Sequence, residues 1–134
     1  MQPRDTTFKL VRPGGAFNKL YALAKRVGQP LATGTLNWPT VAAERDGKVI
    51  GFLSTMPFEG AIVAGPLVLE KTPNMLLTIR LGEAYEVVLR AAGITAYHHC
   101  VPVERRDYIE MLERLGYKNV AEVEAQAVMR KDLT

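Results

Sequence analysis

The chain has 134 residues, 48% hydrophobic and 23% charged, with a formal net charge of +3. That length suits one domain spanning 1–134, able to bury roughly two-thirds of its unfolded surface without a staple. The lone Cys100 excludes an intrachain disulfide. No apolar run approaches the ~20 residues of a membrane span, and the polar start through Asp5 carries no secretory pattern. A cytoplasmic location is therefore expected, that of a host if the chain is viral.

In chain order, Phe8 to Arg12 alternates as a short strand, and Pro13-Gly14-Gly15 ends it. Ala16 to Val27 places Phe17, Leu20, Leu23, Ala24 and Val27 at helical spacing, with Gly28 and Pro30 as the stop. Basic charge gathers at this end: residues 1–26 carry six basic side chains against Asp5 alone. The remainder of the chain carries more acidic than basic groups. With aromatics at only 7% and scattered, this pattern fits a solvated helix face better than a nucleic-acid module.

Two strands follow, Val41 to Arg45 and Lys48 to Met56. They are joined by Asp46-Gly47, a two-residue link that calls for positive φ at both positions. Pro57 is expected to end the second. Ala61 to Leu69 makes a third antiparallel strand, unpaired or bulged at Gly65-Pro66, because proline gives no ladder hydrogen bond. A long helix then runs to about Ala92 with Leu81, Ala84, Tyr85, Val88 and Leu89 on its buried stripe. Ile94 to Val101 is read as a parallel strand after this crossover, 104–115 as an amphipathic helix, and Val123 to Val128 as a last strand.

Two segments in this order resemble a known family. Leu112-Glu113-Arg114-Leu115-Gly116-Tyr117 looks like the signature that ends the last helix of GNAT acyltransferases, and Asp46-Gly47-Lys48-Val49-Ile50-Gly51 looks like their hairpin. The resemblance covers roughly 8–130. It implies an α+β (mixed α/β) fold: a central mixed sheet of six or seven strands, an antiparallel meander followed by a parallel pair splayed at a coenzyme A cleft, and about three helices. It also implies acetyl-CoA as co-substrate, held along Leu67, Val68 and Leu69 and at the next helix start by Asn74, Met75, Leu76, Leu77, Thr78 and Arg80. The family's pyrophosphate loop carries glycines, however, and the aligned places here hold Asn74, Leu77 and Ile79. The family's acid tyrosine falls on Leu112, one turn after Tyr108.

The candidate chemical groups are few. His98, His99 and Cys100 are adjacent on a strand, so His98 and Cys100 share one face and His99 takes the other. A histidine there suits a base that deprotonates an amine through water. Tyr108 is the candidate acid for a departing thiolate. Three ligands in a row are too few for a metal, so none is expected. Glu59, Glu70 and Trp38 are candidates for the acceptor side. Two readings follow: an N-acyltransferase acting on an amine of a protein or small molecule, and a catalytically degenerate binding module that docks on a host protein through Met75, Leu76, Leu77 and the basic helix. The second likens the chain to small phage-encoded proteins acting on host enzymes. A homodimer through the last strand's edge is a further expectation.

Overall fold

The computed structural model describes residues 6–58, 60–71 and 74–134. Seven strands form one sheet: β1 (Thr6–Leu10), β2 (Val41–Arg45), β3 (Lys48–Phe58), β4 (Ala61–Leu69), β5 (Ala96–Pro102), β6 (Lys118–Val123) and β7 (Gln126–Asp132). Their spatial order is β1-β2-β3-β4-β5-β7-β6. Every neighbouring pair is antiparallel except β4 with β5, which is parallel. Three α-helices complete the fold: α1 (Asn18–Arg26), α2 (Met75–Ala91) and α3 (Arg106–Arg114).

The helices divide the two sheet faces. On one, Leu20, Leu23 and Ala24 of α1 pack on Ala42, Phe52 and Val68. On the other, Leu77, Leu81, Tyr85 and Leu89 of α2 pack on Ala43, Leu53, Ala64 and Tyr97. On that same side Leu112 of α3 meets Val101, Ala127 and Met129. Lys19, Lys25 and Arg26 are exposed, so the basic end of the chain is a solvated helix face.

The turn between β2 and β3 has φ 54° at Asp46 and 74° at Gly47, the doubly positive link that the dipeptide asks for. β4 carries the expected irregularity. Leu53 pairs with Leu67 and Thr55 with Ala64, so Ser54 alone faces both Gly65 and Pro66. This is a bulge on β4.

Five sequence expectations need correction. β3 does not stop at Pro57 but runs through it to Phe58, pairing Pro57 with Ile62. β2 reaches only to Leu53 of β3, so the prolyl nitrogen there has no second neighbour to serve. The first strand and β5 are each displaced by two residues or fewer at their ends, and α3 is shorter than 104–115. The largest error lies at the end of the chain. Val123 to Val128 is not one strand but the bend of a hairpin, with β6 before it and β7 after. Glu124 and Ala125 form its turn with φ 49° and 64°.

Candidate functional site

The parallel seam is short. β4 and β5 pair only at Val63 with His98 and Ala64 with His99. Beyond those pairs the two strands separate. Glu70 donates its backbone N–H to the Ile50 carbonyl at 2.8 Å, so by strand alternation Val68 also turns toward β3. The N–H and C=O groups of Leu67 and Leu69 are then directed to the opening beside β5. Of the three residues expected along the coenzyme, two present backbone to the cleft. Val68 instead contributes a side chain that is 1% exposed and packed in the α1 core.

Beside this seam, between α2 and α3, lies a cavity of about 340 Å³. Thr78, Ile79, Gly82 and Glu83 of α2 form one wall, Tyr108, Met111 and Leu112 of α3 the other, with Ala64, Leu67 and His99 at its floor. Gly82 sits inside a helix, where glycine is unfavourable by about 1 kcal/mol relative to alanine. A Cβ built there meets nothing within 4 Å. The helix leaves this space open to the cavity at a cost in its own stability.

His99 and Tyr108 meet on the floor. The imidazole Nδ1 lies 3.1 Å from the Ala64 carbonyl, and Nε2 lies 3.3 Å from the Tyr108 hydroxyl. A carbonyl only accepts, so Nδ1 carries the proton, Nε2 is the acceptor, and the Tyr108 O–H donates to it. Burial lowers the His99 pKa from its usual 6.5, opposed by the bond to Ala64, and keeps the ring neutral. Burial likewise raises the Tyr108 pKa, with the Arg105 guanidinium 5.6 Å over its ring acting the other way. Near neutral pH, then, the phenol oxygen holds the proton between the pair and Nε2, unprotonated, accepts it as a hydrogen bond.

This geometry ties stability to pH. Below pH 6.5 the unfolded chain takes up a proton at this imidazole that the folded chain resists. Stability from this group is complete above that value and is lost as pH falls past it. His99→Gln is therefore expected to flatten the fall in Tm between pH 6.5 and about pH 5. An unchanged slope in thermal melts across that interval would mean that His99 is protonated freely in the fold.

The remaining candidates are dispersed. His98 and Cys100 face the opposite side of the sheet from His99, as alternation requires, since His98 is paired with Val63 rather than Ala64. Cys100 is exposed. The His98 Nδ1 is buried and has no hydrogen-bond partner among the described residues. Glu70 is held by Lys48 at 3.0 Å and Arg26 at 3.4 Å. The Lys48 bond foremost keeps its carboxyl below the usual range. Trp38 is 44% exposed beside Asn37, whose N–H donates to Ser54 Oγ at 3.1 Å. Glu59 lies outside the described residues.

At the start of α2, Asn74 is the N-cap, its Oδ1 accepting from the Leu77 N–H at 3.1 Å, and Thr78 Oγ1 donates to the Asn74 carbonyl at 3.0 Å. Leu77 points into the core at 8% exposure. Arg80 lies by a separate hollow with Phe8, Arg45 and Leu76, apart from the cavity under the seam. Among the described residues, the first-turn amides of Met75 and Leu76 have no such cap.

The sequence reading missed a second polar group on the cavity wall. Glu86, 7% exposed, accepts from Tyr97 Oη at 2.7 Å and pairs with Lys131 Nζ at 2.8 Å. Because the Tyr97 proton is committed to Glu86, the Tyr117 hydroxyl donates to the Tyr97 oxygen. Burial raises the pKa of both phenols. Glu86 follows Tyr85 but stands off the apolar stripe, and nothing in the helical period marks it as buried. Among the described residues no group of three or more His, Cys, Asp or Glu side chains gathers to hold a metal ion.

No family model and no curated protein matches this chain. Solved structures do. The ribosomal-protein-S18-alanine N-acetyltransferase of Escherichia coli superposes with a TM-score of 0.75 at 13% identity, covering 97% of this chain and 95% of that one. The aminoglycoside 6'-N-acetyltransferase of Enterococcus faecium gives 0.74 at 16% identity, over 96% and 97% of the two chains. The paia N-acetyltransferase of Thermoplasma acidophilum, solved in complex with coenzyme A, gives 0.61 at 17% identity over 69% of this chain and 59% of that one. A splayed parallel seam in a seven-stranded mixed sheet, with these superpositions over nearly the whole length, gives the chain the GNAT acyltransferase fold.

Proposed function

We propose that the chain is an acyl-CoA-dependent N-acyltransferase that transfers acetyl to an amine. The observation carrying this reading is the His99–Tyr108 pair on the floor of an open cavity where β4 and β5 part. The residues there suit a coenzyme arm. Among the described residues, Leu67 and Leu69 have no ladder partner on the β5 side, and Gly82 leaves space that a side chain would fill. Leu76 and Met75 amides at the α2 start suit an anion. The bound coenzyme would supply the activated thioester.

The chain's own part is positioning and proton handling. An amide turned from Leu67 or Leu69 toward the opening is placed to polarise a carbonyl oxygen. Tyr108 holds the proton that a departing sulfur requires, and turning about its C–O bond redirects it from His99. His98, across the sheet, has a buried Nδ1 with no partner among the described residues, and is the candidate to receive the proton that an amine loses.

Calorimetry with acetyl-CoA tests this reading, read beside the same titration of Gly82→Leu. Leucine is a good helix former, so the variant should melt no lower than the parent. Its side chain fills the cavity, and the expected loss of affinity is at least about tenfold. Equal heats from both proteins would place the coenzyme elsewhere.

One observation favours the non-catalytic alternative. Where the family has Gln or Arg this chain has Asn74, where it has its two glycines this chain has Leu77 and Ile79, and Leu77 fills the space over Gly51, meeting a Cβ built there at 3.4 Å. If acetyl-CoA gives neither heat nor thermal stabilisation, the fold is serving as a docking module, with Leu76, 63% exposed, at its surface.

A further inference from the structure

A group of buried hydroxyls that the transfer chemistry does not use ties α2 to the segment before β2. Thr40, Ser54 and Thr55 are each 0% exposed. β2 and β3 pair as far as Val41 with Leu53, and one more ladder step would set Pro39 against Thr55. Pro39 has no N–H to give, so side chains fasten the chain there. Thr55 Oγ1 donates to the Pro39 carbonyl at 2.7 Å, and the Thr55 carbonyl accepts from Asn37 Nδ2 at 3.1 Å. Asn37 N–H donates to Ser54 Oγ at 3.1 Å, which lies 2.7 Å from Thr40 Oγ1. Trp38, 44% exposed, stands between the two residues that Thr55 holds.

Thr55 also reaches the other way. Leu53, two residues back, packs under α2, so Thr55 faces the same side, and its Oγ1 lies 2.5 Å from Tyr85 Oη. A threonine hydroxyl has one proton. The Pro39 carbonyl only accepts, so that proton is committed there, and the Tyr85 O–H donates to Thr55. On α2, Gly82 stands three residues before Tyr85 and Glu86 one after, and both line the cavity. Among the described residues this is the single side-chain hydrogen bond from α2 to the strands β1 to β4, since the others run to Tyr97 and Leu133. Thr55 and Tyr85 are both 0% exposed. Neither can exchange a broken bond for one to water, so a displacement of α2 is passed on through a closely packed interior.

We propose that Thr55 is a positioning residue that links α2 to the Trp38 segment, so that a ligand lying against the α2 wall of the cavity is registered at Trp38. The inference rests on the acyl-transfer reading for the identity of that ligand, acetyl-CoA. What lies against Gly82 and Glu86 sets where the α2 wall stands, and Tyr85 between them carries that position to Thr55. From Thr55 it passes to both neighbours of Trp38, through the Pro39 carbonyl and the Asn37 amide. The ligand shifts the segment to the extent that it binds one placement of α2 better than another.

Trp38 is the single tryptophan, so its emission reads the segment directly. Acetyl-CoA should shift that emission, with a midpoint within about threefold of the calorimetric Kd. Tyr85→Phe cuts the link and leaves Thr55 bonded to Pro39. It should keep the resting emission of the parent and its calorimetric affinity within about threefold, yet lose the shift. Thr55→Val should lose the shift as well, and Thr55→Ser, which keeps the hydroxyl, should retain it. If Thr55→Val does not fold, the other two variants decide. A role in folding alone moves the melting temperature but not a ligand-linked signal. A shift of full size in Tyr85→Phe overturns the proposal, because the coenzyme then touches Trp38 or acts by another route. Binding seen by calorimetry with no shift in the parent also overturns it, and leaves the acyl-transfer reading standing. No binding at all overturns both.

Discussion

Tyr108→Phe is expected to lower kcat by about a hundredfold while leaving the acetyl-CoA affinity within about threefold, because the phenol contributes a proton and little else. The argument is local. The hydroxyl contacts His99 Nε2 at 3.3 Å, a long bond between neutral groups that is worth about 1 kcal/mol or less to the fold. The ring, packed edge-on to the imidazole with centroids 5.8 Å apart, stays in place in the phenylalanine variant. Rate and stability should therefore separate. Single-turnover acetyl transfer measured beside a denaturant titration checks both. A variant with full rate would show that the phenol only packs. One that fails to fold would show that the His99 bond holds more than its length suggests. His99 offers a complementary reading. Since its Nε2 must be unprotonated to accept from Tyr108, the rate should fall with acid at a pH below 6.5.

Glu86→Ala is expected to destabilise the fold by about 3 kcal/mol, the largest effect of any polar substitution considered for this protein. Removing the carboxylate leaves the Lys131 ammonium and the Tyr97 hydroxyl facing a vacancy, and the Tyr117 hydroxyl loses the orientation that Tyr97 gave it. Lys131 keeps some contact with water and lies 5.4 Å over the Tyr117 ring, which holds the cost near the lower end of the range for a broken buried pair. The double change Glu86→Leu with Lys131→Met should recover most of the loss, because the penalty comes from the unpaired partner and not from the absence of the pair. Urea titration of the three proteins decides the matter. A loss under about 1 kcal/mol in the alanine variant would mean that Lys131 simply turns to solvent.

These two positions also show what could be read from residue order. Tyr108 was legible because an amphipathic helix before Leu115-Gly116 fixes which side of it meets the sheet. Its hydrogen bond to His99 was not, since that depends on how far α3 stands from β5. His98 and His99 were separable by parity alone. Glu86 was illegible: it stands beside the apolar stripe, where a carboxylate reads as solvated until Lys131, 45 positions later, is known to lie against it. The meander was readable from its turn and its apolar runs: Asp46-Gly47 fixes the hairpin, and Val49 to Thr55 is buried at every residue. β6 is exposed at every residue, so no alternation marks it, and Glu124-Ala125 carries none of the usual residues for a doubly positive turn. The last hairpin was accordingly read as a single strand.

The bulge at Gly65-Pro66 and the early end of the β4–β5 ladder have a consequence for how the molecule holds together. Four strands stand on one side of that ladder and three on the other, and the backbone bonds across it are confined to the stretch around Val63–Ala64 and His98–His99. The seam is then closed mostly by side chains: the imidazole of His99 bonded to Ala64 across it, and α2 lying over both halves through Tyr85 and Tyr97, whose rings meet at 5.5 Å. Such a sheet is jointed rather than continuous, and its two leaves are free to tilt about a narrow line without breaking the ladders inside either one. Anything that lies along the open edges of β4 and β5 acts as a third fastening, and clamps together two leaves that the backbone alone leaves loosely joined.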